Sequence, residues 1–339
     1  VTVRVGFLGG GLIAEYHSKS LHVTRADVTW SGVFDPDRER AEAFGHASGA
    51  PVCDSEAAVL DSCDAVYICT WTAEHSRLVD DACARGLAVF CEKPLAVDAT
   101  AARSMVEAVE RAGVTNQVGL VLRASPAFGL LRDLVHDPAS GRVMSIVFRD
   151  DQFIPIQGHY SSTWRGDVAK AGAGTLLEHS IHDVDMIESV VGPLTAVGAR
   201  SATMHGIEGI EDVVVATLEL PDGGVGTLVS VWHDLLDRPS LRRVEVLCER
   251  GFFTLEGDWF GPVTWSRPGE TGTLEGRALV AEVERRDIDK PQPDLAFARA
   301  VAAGEPAWPD FRTALRAHTV VDAMYASAAT DGARVVLSS

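Results

Sequence analysis

Basic residues are in short supply. The chain has 30 Lys and Arg against 48 Asp and Glu, a formal net charge of −18 at pH 7. Such a surface repels phosphate backbones and anionic headgroups, so no nucleic-acid or membrane partner is expected. The acidic balance reads as a solvated surface and says nothing of fold. Long apolar runs are also missing. No stretch reaches the ~20 residues that a membrane-crossing helix needs. No signal-peptide pattern precedes the first strand, so a cytoplasmic protein is expected. The six cysteines, at 53, 63, 69, 83, 91 and 248, include no C-x-x-C pair, and most lie in apolar runs such as "AVYICTW". Buried, reduced thiols fit them better than disulfides or zinc. Internal repeats and low-complexity segments are absent too.

What is present suits a globular enzyme-sized chain. Of 339 residues, 46% are apolar and 23% charged, enough for a real core and, from length, about two domains. Short apolar runs alternate with amphipathic ones at first. "VRVGFLG", "VTWSGVFD", "DAVYICT", "LAVFCE" and "NQVGLVL" read as strands. A stretch from about Leu12, then "DRERAEAFGHAS", "EHSRLVDDACARG" and "DATAARSMVEAVERAG", read as helices. Repeated β-α-β units imply a parallel sheet with helices on both faces. The texture changes after Arg123. A helix is expected over roughly Leu176 to Val191, and strands dominate from "TAVGARSATMH" to "PVTWSR". The turn "PDGG" joins two of them as a hairpin. The expected division is therefore 1–122 and 123–339, with the last helices as candidates to pack back on the first domain.

"GFLGGGLIAEYH" carries Gly9-x-Gly11-x-x-Ala14 between a strand and a helix. Glycines there permit a tight turn and let backbone N–H groups approach a pyrophosphate at the positive helix end. Asp35 ends the next strand, where a carboxylate binds ribose hydroxyls and repels a 2′-phosphate. NAD is thus favoured over NADP, although Arg38 and Arg40 lie close by and moderate that preference. A glycine turn with a helix-capping Asp is the plainer alternative.

"KAGAGTLLEHSIHDVDMIESVVG" is the second informative stretch. Glu178, His182 and Asp185 are spaced i, i+4, i+7, one face of a helix, with His179 and Asp183 beside them. Three readings stay open at this point. A proton-transfer site would use His182, whose ordinary pKa of ~6.5 suits exchange near neutrality. A metal site would use His179, His182 and a carboxylate, but the spacing is not H-E-x-x-H. A solvated charged face would use none of them.

Together these stretches resemble the glucose-fructose oxidoreductase / inositol dehydrogenase / MocA (Gfo/Idh/MocA) family. "GGGLIAEYH" includes the family's histidine, here His17. "ICTWTAEHSRLVDDACARGLAVFCEKPLA" resembles its Thr-Pro-Asn-x-x-His … Glu-Lys-Pro segment. "GAGTLLEHSIHDVD" resembles its glycine-rich lead into an acid-x-x-x-His-x-x-Asp helix, and "EDVVVATLELPDGGVGTLVSVW" its sheet hairpin. The resemblance implies an α/β Rossmann domain, then an α+β domain with a large, mainly antiparallel open sheet. It implies a homodimer or homotetramer through that sheet, and hydride transfer between NAD(P) and a CH–OH group of a sugar, inositol or related polyol. Two other uses of the scaffold are an NAD-dependent glycosidase working by transient oxidation and a non-catalytic dinucleotide sensor.

Carried over by residue, the resemblance makes Lys93 the lysine beside nicotinamide and substrate hydroxyl, and His182 the proton-exchanging histidine. Glu178 stands where aspartate is common and is the third catalytic candidate. The cofactor set is Gly9, Gly11, Leu12, Ile13, Asp35, Arg38, Thr70, Trp71, His75, Glu92 and Lys93. Pro94 is expected to carry a cis bond. Arg123, Trp164, Arg165 and His179 are candidates for the substrate pocket, and no metal is expected. Glu92 reads as a group that positions cofactor or Lys93, or simply as a capping acid. His159, His205 and His233 read as ordinary surface or core residues. Trp71 and Thr72 replace the usual Pro and Asn, Glu178 is one methylene longer than Asp, and Gly172-Ala173-Gly174 only approximates a triple glycine.

Overall fold

The computed structural model describes residues 2–289 and 292–338. The chain forms two compact units, Val1–Leu120 with Pro291–Leu315, and Val121–Lys290 with Arg316–Ser339.

The first unit is built on five parallel strands: β1 (Val3–Leu8), β2 (Val28–Phe34), β3 (Ala65–Ile68), β4 (Ala88–Cys91) and β5 (Asn116–Val118). Their order is β2-β1-β3-β4-β5. Every residue of β3 and β4 is buried, which is why "AVYI" and "AVFC" are continuously apolar. A single parallel bridge from Val33 to Val52 adds one position beyond β2. That is the strand order of a Rossmann sheet with its third strand reduced to a bridge. Phe7, Tyr67 and Phe90 stack across β1, β3 and β4 at ring spacings of 4.9 and 4.8 Å. Phe297, from the helix Pro293–Ala303, meets Tyr67 and Phe90 edge-on. Asp37 and Asp98 cap the helices Arg38–Ser48 and Ala99–Ala112, which end at left-handed Gly49 and Gly113. The strand order reverses between β1 and β3, so the ligand crevice of such a sheet opens at their carboxyl ends.

The second unit carries β6 (Val143–Phe153), β7 (Ala196–Ala202), β8 (Val213–Glu219), β9 (Val225–His233), β10 (Leu241–Cys248), β11 (Gly251–Glu256), β12 (Val263–Arg267), β13 (Glu270–Leu274) and β14 (Val335–Val336). They form one sheet, β13-β12-β11-β10-β6-β9-β8-β7-β14. All neighbours are antiparallel except β6 and β9. One face packs Ile146, Phe148, Ala216, Leu228, Val244 and Val246 into a core shared with helices such as Pro126–His136 and Ile181–Val191. The other face leaves Val147, Val215, Leu247 and Phe252 exposed. The mainly antiparallel open sheet is thus present. β13 and the helix Gly276–Arg285 were not foreseen from the sequence; β13 reads Glu-Thr-Gly-Thr-Leu, too polar to stand out.

The helix expected over Leu176 to Val191 is two pieces, Thr175–Glu178 and Ile181–Val191. Ser180 donates to Ser230 Oγ at 2.6 Å, and Thr175 Oγ1 lies 2.8 Å from the same oxygen. These hydroxyl contacts tie the joint to β9, which carries Ser230. Among the described residues no helix is long and apolar enough to cross a membrane, and all six cysteines are free thiols.

Candidate active site

The turn after β1 separates two jobs of glycine. Gly9 has φ of 90°, and a Cβ there would lie 2.6 Å from the Cys69 carbonyl oxygen, so the fold itself requires glycine. Gly11 precedes the helix Leu12–Val23 with ordinary extended φ and no side-chain cap. A Cβ on Gly11 would meet no protein atom within 4 Å. The bare backbone there is a cradle open to a ligand, at the positive end of a 12-residue helix. Leu12 and Ile13, on that first turn, are exposed. These features fit a dinucleotide pyrophosphate.

Asp35 is buried beneath this turn. Its Oδ2 accepts from Gly10 N–H at 2.9 Å and its Oδ1 from Asp37 N–H at 2.9 Å. Arg40 approaches Oδ1 at 3.4 Å. The carboxylate therefore shapes the glycine turn. Arg38 faces solvent instead and pairs with Glu42 and Asp54.

The loops after β3 and β4 are tied together by His75, which is buried. Its Nδ1 lies 3.0 Å from Pro94 O and its Nε2 3.2 Å from Thr70 O. Thr70 and Trp71 are half-buried, and Trp71 opens the short turn Thr72–Glu74. The Lys93–Pro94 bond is cis, as the resemblance implies. Glu92 caps no helix. Its Oε1 lies 2.9 Å from His17 Nε2, and its Oε2 accepts the Lys93 N–H at 3.1 Å. His17 Nδ1 lies 2.7 Å from Asp294 Oδ1. Burial alone would lower the His17 pKa, but Asp294 and Glu92 together raise it to about 10. The imidazolium thus donates to both acids. Burial opposes the charge on Asp294, yet His17, Ser20 and Gln292 hold its carboxyl below the usual range. A side chain at Gly119 would run into the Glu92 carboxylate.

In the second unit the charged segment is buried, which removes the solvated-face reading. Glu178, His182, Asp183 and Asp185 are all buried. Arg165 Nε donates to Glu178 Oε2 at 3.0 Å, and its guanidinium lies 4.6 Å from the Trp164 ring. Arg123 grips Asp185 through Nε and Nη2 at 2.6–3.0 Å. Burial raises the Asp185 pKa, and Arg123 pulls it back. His179 Nε2 lies 2.5 Å from Asp150 Oδ2 and 3.1 Å from Arg242 Nη2. Arg242 also holds Asp183 at 2.6 Å and Asp258 at 2.9 Å. Burial lifts Asp183 to about 6 against the pull of Arg242. His179 is thus part of a buried charge network. Among the described residues no group of three or more His, Cys, Asp or Glu could hold a metal ion.

Several supporting residues escaped sequence reading. Glu211 accepts the N–H groups of Gly174 and Leu176 at 2.8 and 2.9 Å, and the Tyr325 hydroxyl at 2.9 Å, so it anchors the segment that carries Glu178. Its only signal was an acid pair before an apolar strand. Asp294 and Arg242 sit in stretches that read simply as a helix start and a strand.

A parallel sheet with an uncapped glycine turn defines a dinucleotide-binding domain, and the second unit adds a buried cluster of proton-carrying side chains on an open sheet. Comparison with known proteins gives the family. Residues 3–120 match the "Oxidoreductase family, NAD-binding Rossmann fold", and residues 128–254 the "GFO/IDH/MocA C-terminal domain". The chain is 30% identical over 267 residues to an inositol 2-dehydrogenase of Saccharopolyspora erythraea, covering 76% of this chain and 74% of that one. It is 28% identical over 335 residues to an inositol 2-dehydrogenase of Cereibacter sphaeroides, covering 95% and 94%. A structure of levoglucosan dehydrogenase with NADH and levoglucosan superposes with a TM-score of 0.86 at 20% identity, covering 99% and 100%. The chain belongs to the Gfo/Idh/MocA family of oxidoreductases, and its first unit is an NAD-binding Rossmann domain.

Proposed function

We propose that this chain is an NAD(P)-dependent dehydrogenase acting on a secondary alcohol or ketone of a sugar, inositol or related polyol. Family membership together with Lys93 and His182 at the motif positions carries this reading. Relatives named for inositol and a solved neighbour holding levoglucosan support the substrate class. A dinucleotide held at the glycine turn of Gly9 and Gly11 would supply the acceptor for the carbinol hydride. His182 removes the hydroxyl proton, and Lys93 donates to the same oxygen and stabilises its developing charge. Glu92 holds the Lys93 backbone, and His75 joins the loops on either side. NAD is the preferred cofactor in this reading, since an acid at the end of the second strand, here Asp35, favours ribose hydroxyls over a 2′-phosphate. The exposed apolar side chains Val147, Val215, Leu247 and Phe252 suit self-association through the sheet. Six free thiols fit a reducing, cytoplasmic setting.

The test is a panel of sugars and inositols with NAD and NADP, read by absorbance of the reduced cofactor. Net reduction by a free polyol, faster with NAD, is expected. Release of an aglycone without net reduction would instead mean a glycosidase. Tight dinucleotide binding with no turnover on any member would mean a sensor.

A further inference from the structure

Ser180 precedes the helix Ile181–Val191 but gives it no side-chain cap. Its hydroxyl is committed to Ser230 instead. The first turn of that helix carries His182, and a residue of the sheet secures it. Arg242 on β10 pairs in register with Asp150 on β6. Along the same face of these strands run Val244 and Val246, and Ile146 and Phe148, all in the apolar core. Arg242 and Asp150 continue those rows as a buried ion pair.

Arg242 uses every edge of its guanidinium. Nε donates to Asp183 Oδ1 at 2.6 Å and Nη1 to Asp258 Oδ2 at 2.9 Å. Nη2 lies 3.1 Å from His179 Nε2 and 3.4 Å from Asp150 Oδ2. One side chain thus holds a residue on either side of His182. A buried cation shared among acids adds little stability over apolar packing of the same volume. It does fix direction, because a planar fork bonded along each edge has one orientation. Asp185 is gripped by Arg123. Asp183 and Asp185 lie about 200° apart around the helix. The two arginines therefore hold the first turn from different sides, with His182 between them.

We propose that Arg242 is a positioning residue: through Asp183 and His179 it fixes the turn that carries His182 and so aims the imidazole at the substrate hydroxyl. The inference rests on the reading of His182 as proton acceptor and adds the group that aims it. A misplacement of about 1 Å at a reacting group costs on the order of a hundredfold in rate. Arg242 therefore acts on kcat without touching substrate.

The experiment uses the whole chain with NAD and whichever of myo-inositol, D-glucose and levoglucosan it oxidises fastest. Asp183→Ala removes the bond to Arg242 but leaves Arg123 and Ser230 holding the helix. It is expected to lower kcat about tenfold to a hundredfold, with KM and NADH affinity within about threefold. Arg242→Lys keeps the charge but cannot serve three edges, and is expected to lower kcat about tenfold. Asp183→Asn keeps an oxygen for Arg242 Nε and is expected to stay within about threefold of wild type. In a His182→Ala background, Asp183→Ala is expected to change kcat less than about twofold, because the group it aims is gone. A further tenfold loss there shows a general structural role and overturns the inference. So does an Asp183→Asn as slow as Asp183→Ala, or a wild-type kcat in Asp183→Ala. If no substrate reduces NAD, or His182→Ala keeps full turnover, the proton-transfer reading fails separately. Crystal structures of wild type and Asp183→Ala then decide the positioning claim. A His182 ring displaced by about 1 Å or more supports it, and one that superposes within about 0.5 Å overturns it.

Discussion

His17 Nε2 lies 2.9 Å from Glu92 Oε1, and both side chains are buried. This contact explains an acid that follows directly on a buried strand. Glu92 is half of the carboxylate pair around His17, and its second oxygen holds the backbone of Lys93.

The pH dependence of stability follows from the sign of the His17 shift. Its folded pKa, about 10, lies above the ordinary value of 6.5. The folded state therefore binds the proton more tightly than the unfolded chain. The contribution is complete below about 6.5 and is lost as pH rises through about 10. Asp294, lowered, contributes above the ordinary carboxylate range and loses its contribution in acid. Urea denaturation is expected to show the wild-type advantage over His17→Gln, on the order of 3 kcal/mol near neutrality, shrinking steadily from pH 7 to 10. A gap that stays constant over that range contradicts the charged His17.

Gly119→Ala tests the same relationship from the other side. The new Cβ would collide with the Glu92 carboxylate, and the expected cost is about 1–3 kcal/mol. Displacing Glu92 also releases the Lys93 N–H, so kcat is expected to fall with it. Lost stability with wild-type kcat would show that Glu92 does not position Lys93.

Gly9 and Gly11 are expected to separate cleanly. Gly9→Ala meets both a positive φ and the Cys69 carbonyl and is expected to destabilise the fold by roughly 2 kcal/mol or more. Gly11→Ala meets no protein atom. It is expected to keep the melting temperature but to weaken NADH binding about tenfold or more, because the methyl enters the ligand's space. Calorimetric titration and thermal denaturation of both variants check the contrast.

Much of the first unit was legible because each of its elements carries a local signal. "AVYI" and "AVFC" are unbroken apolar runs between glycine or acid punctuation, and Asp98 with Gly113 brackets one helix outright. Relations between distant residues were not legible. Asp294 lies 277 residues from His17, and nothing in "PDLAFARAVAAG" marks it as an ion-pair partner. The i, i+4, i+7 pattern at Glu178, His182 and Asp185 was real as spacing. It misled as geometry, because the joint at His179 and Ser180 breaks the helix. The joint depends on Ser230, Asp150 and Arg242, which come from separate strands. Periodicity within one segment cannot report such bonds.

The most direct measurement compares turnover of the best panel substrate by wild type, Lys93→Met and His182→Ala, with NADH affinity measured alongside. The expected result is a loss of about 10²–10⁴ in kcat/KM for each variant while NADH binding stays within about threefold. Near-wild-type turnover in both variants would contradict the assignment of proton transfer to His182 and of alkoxide stabilisation to Lys93.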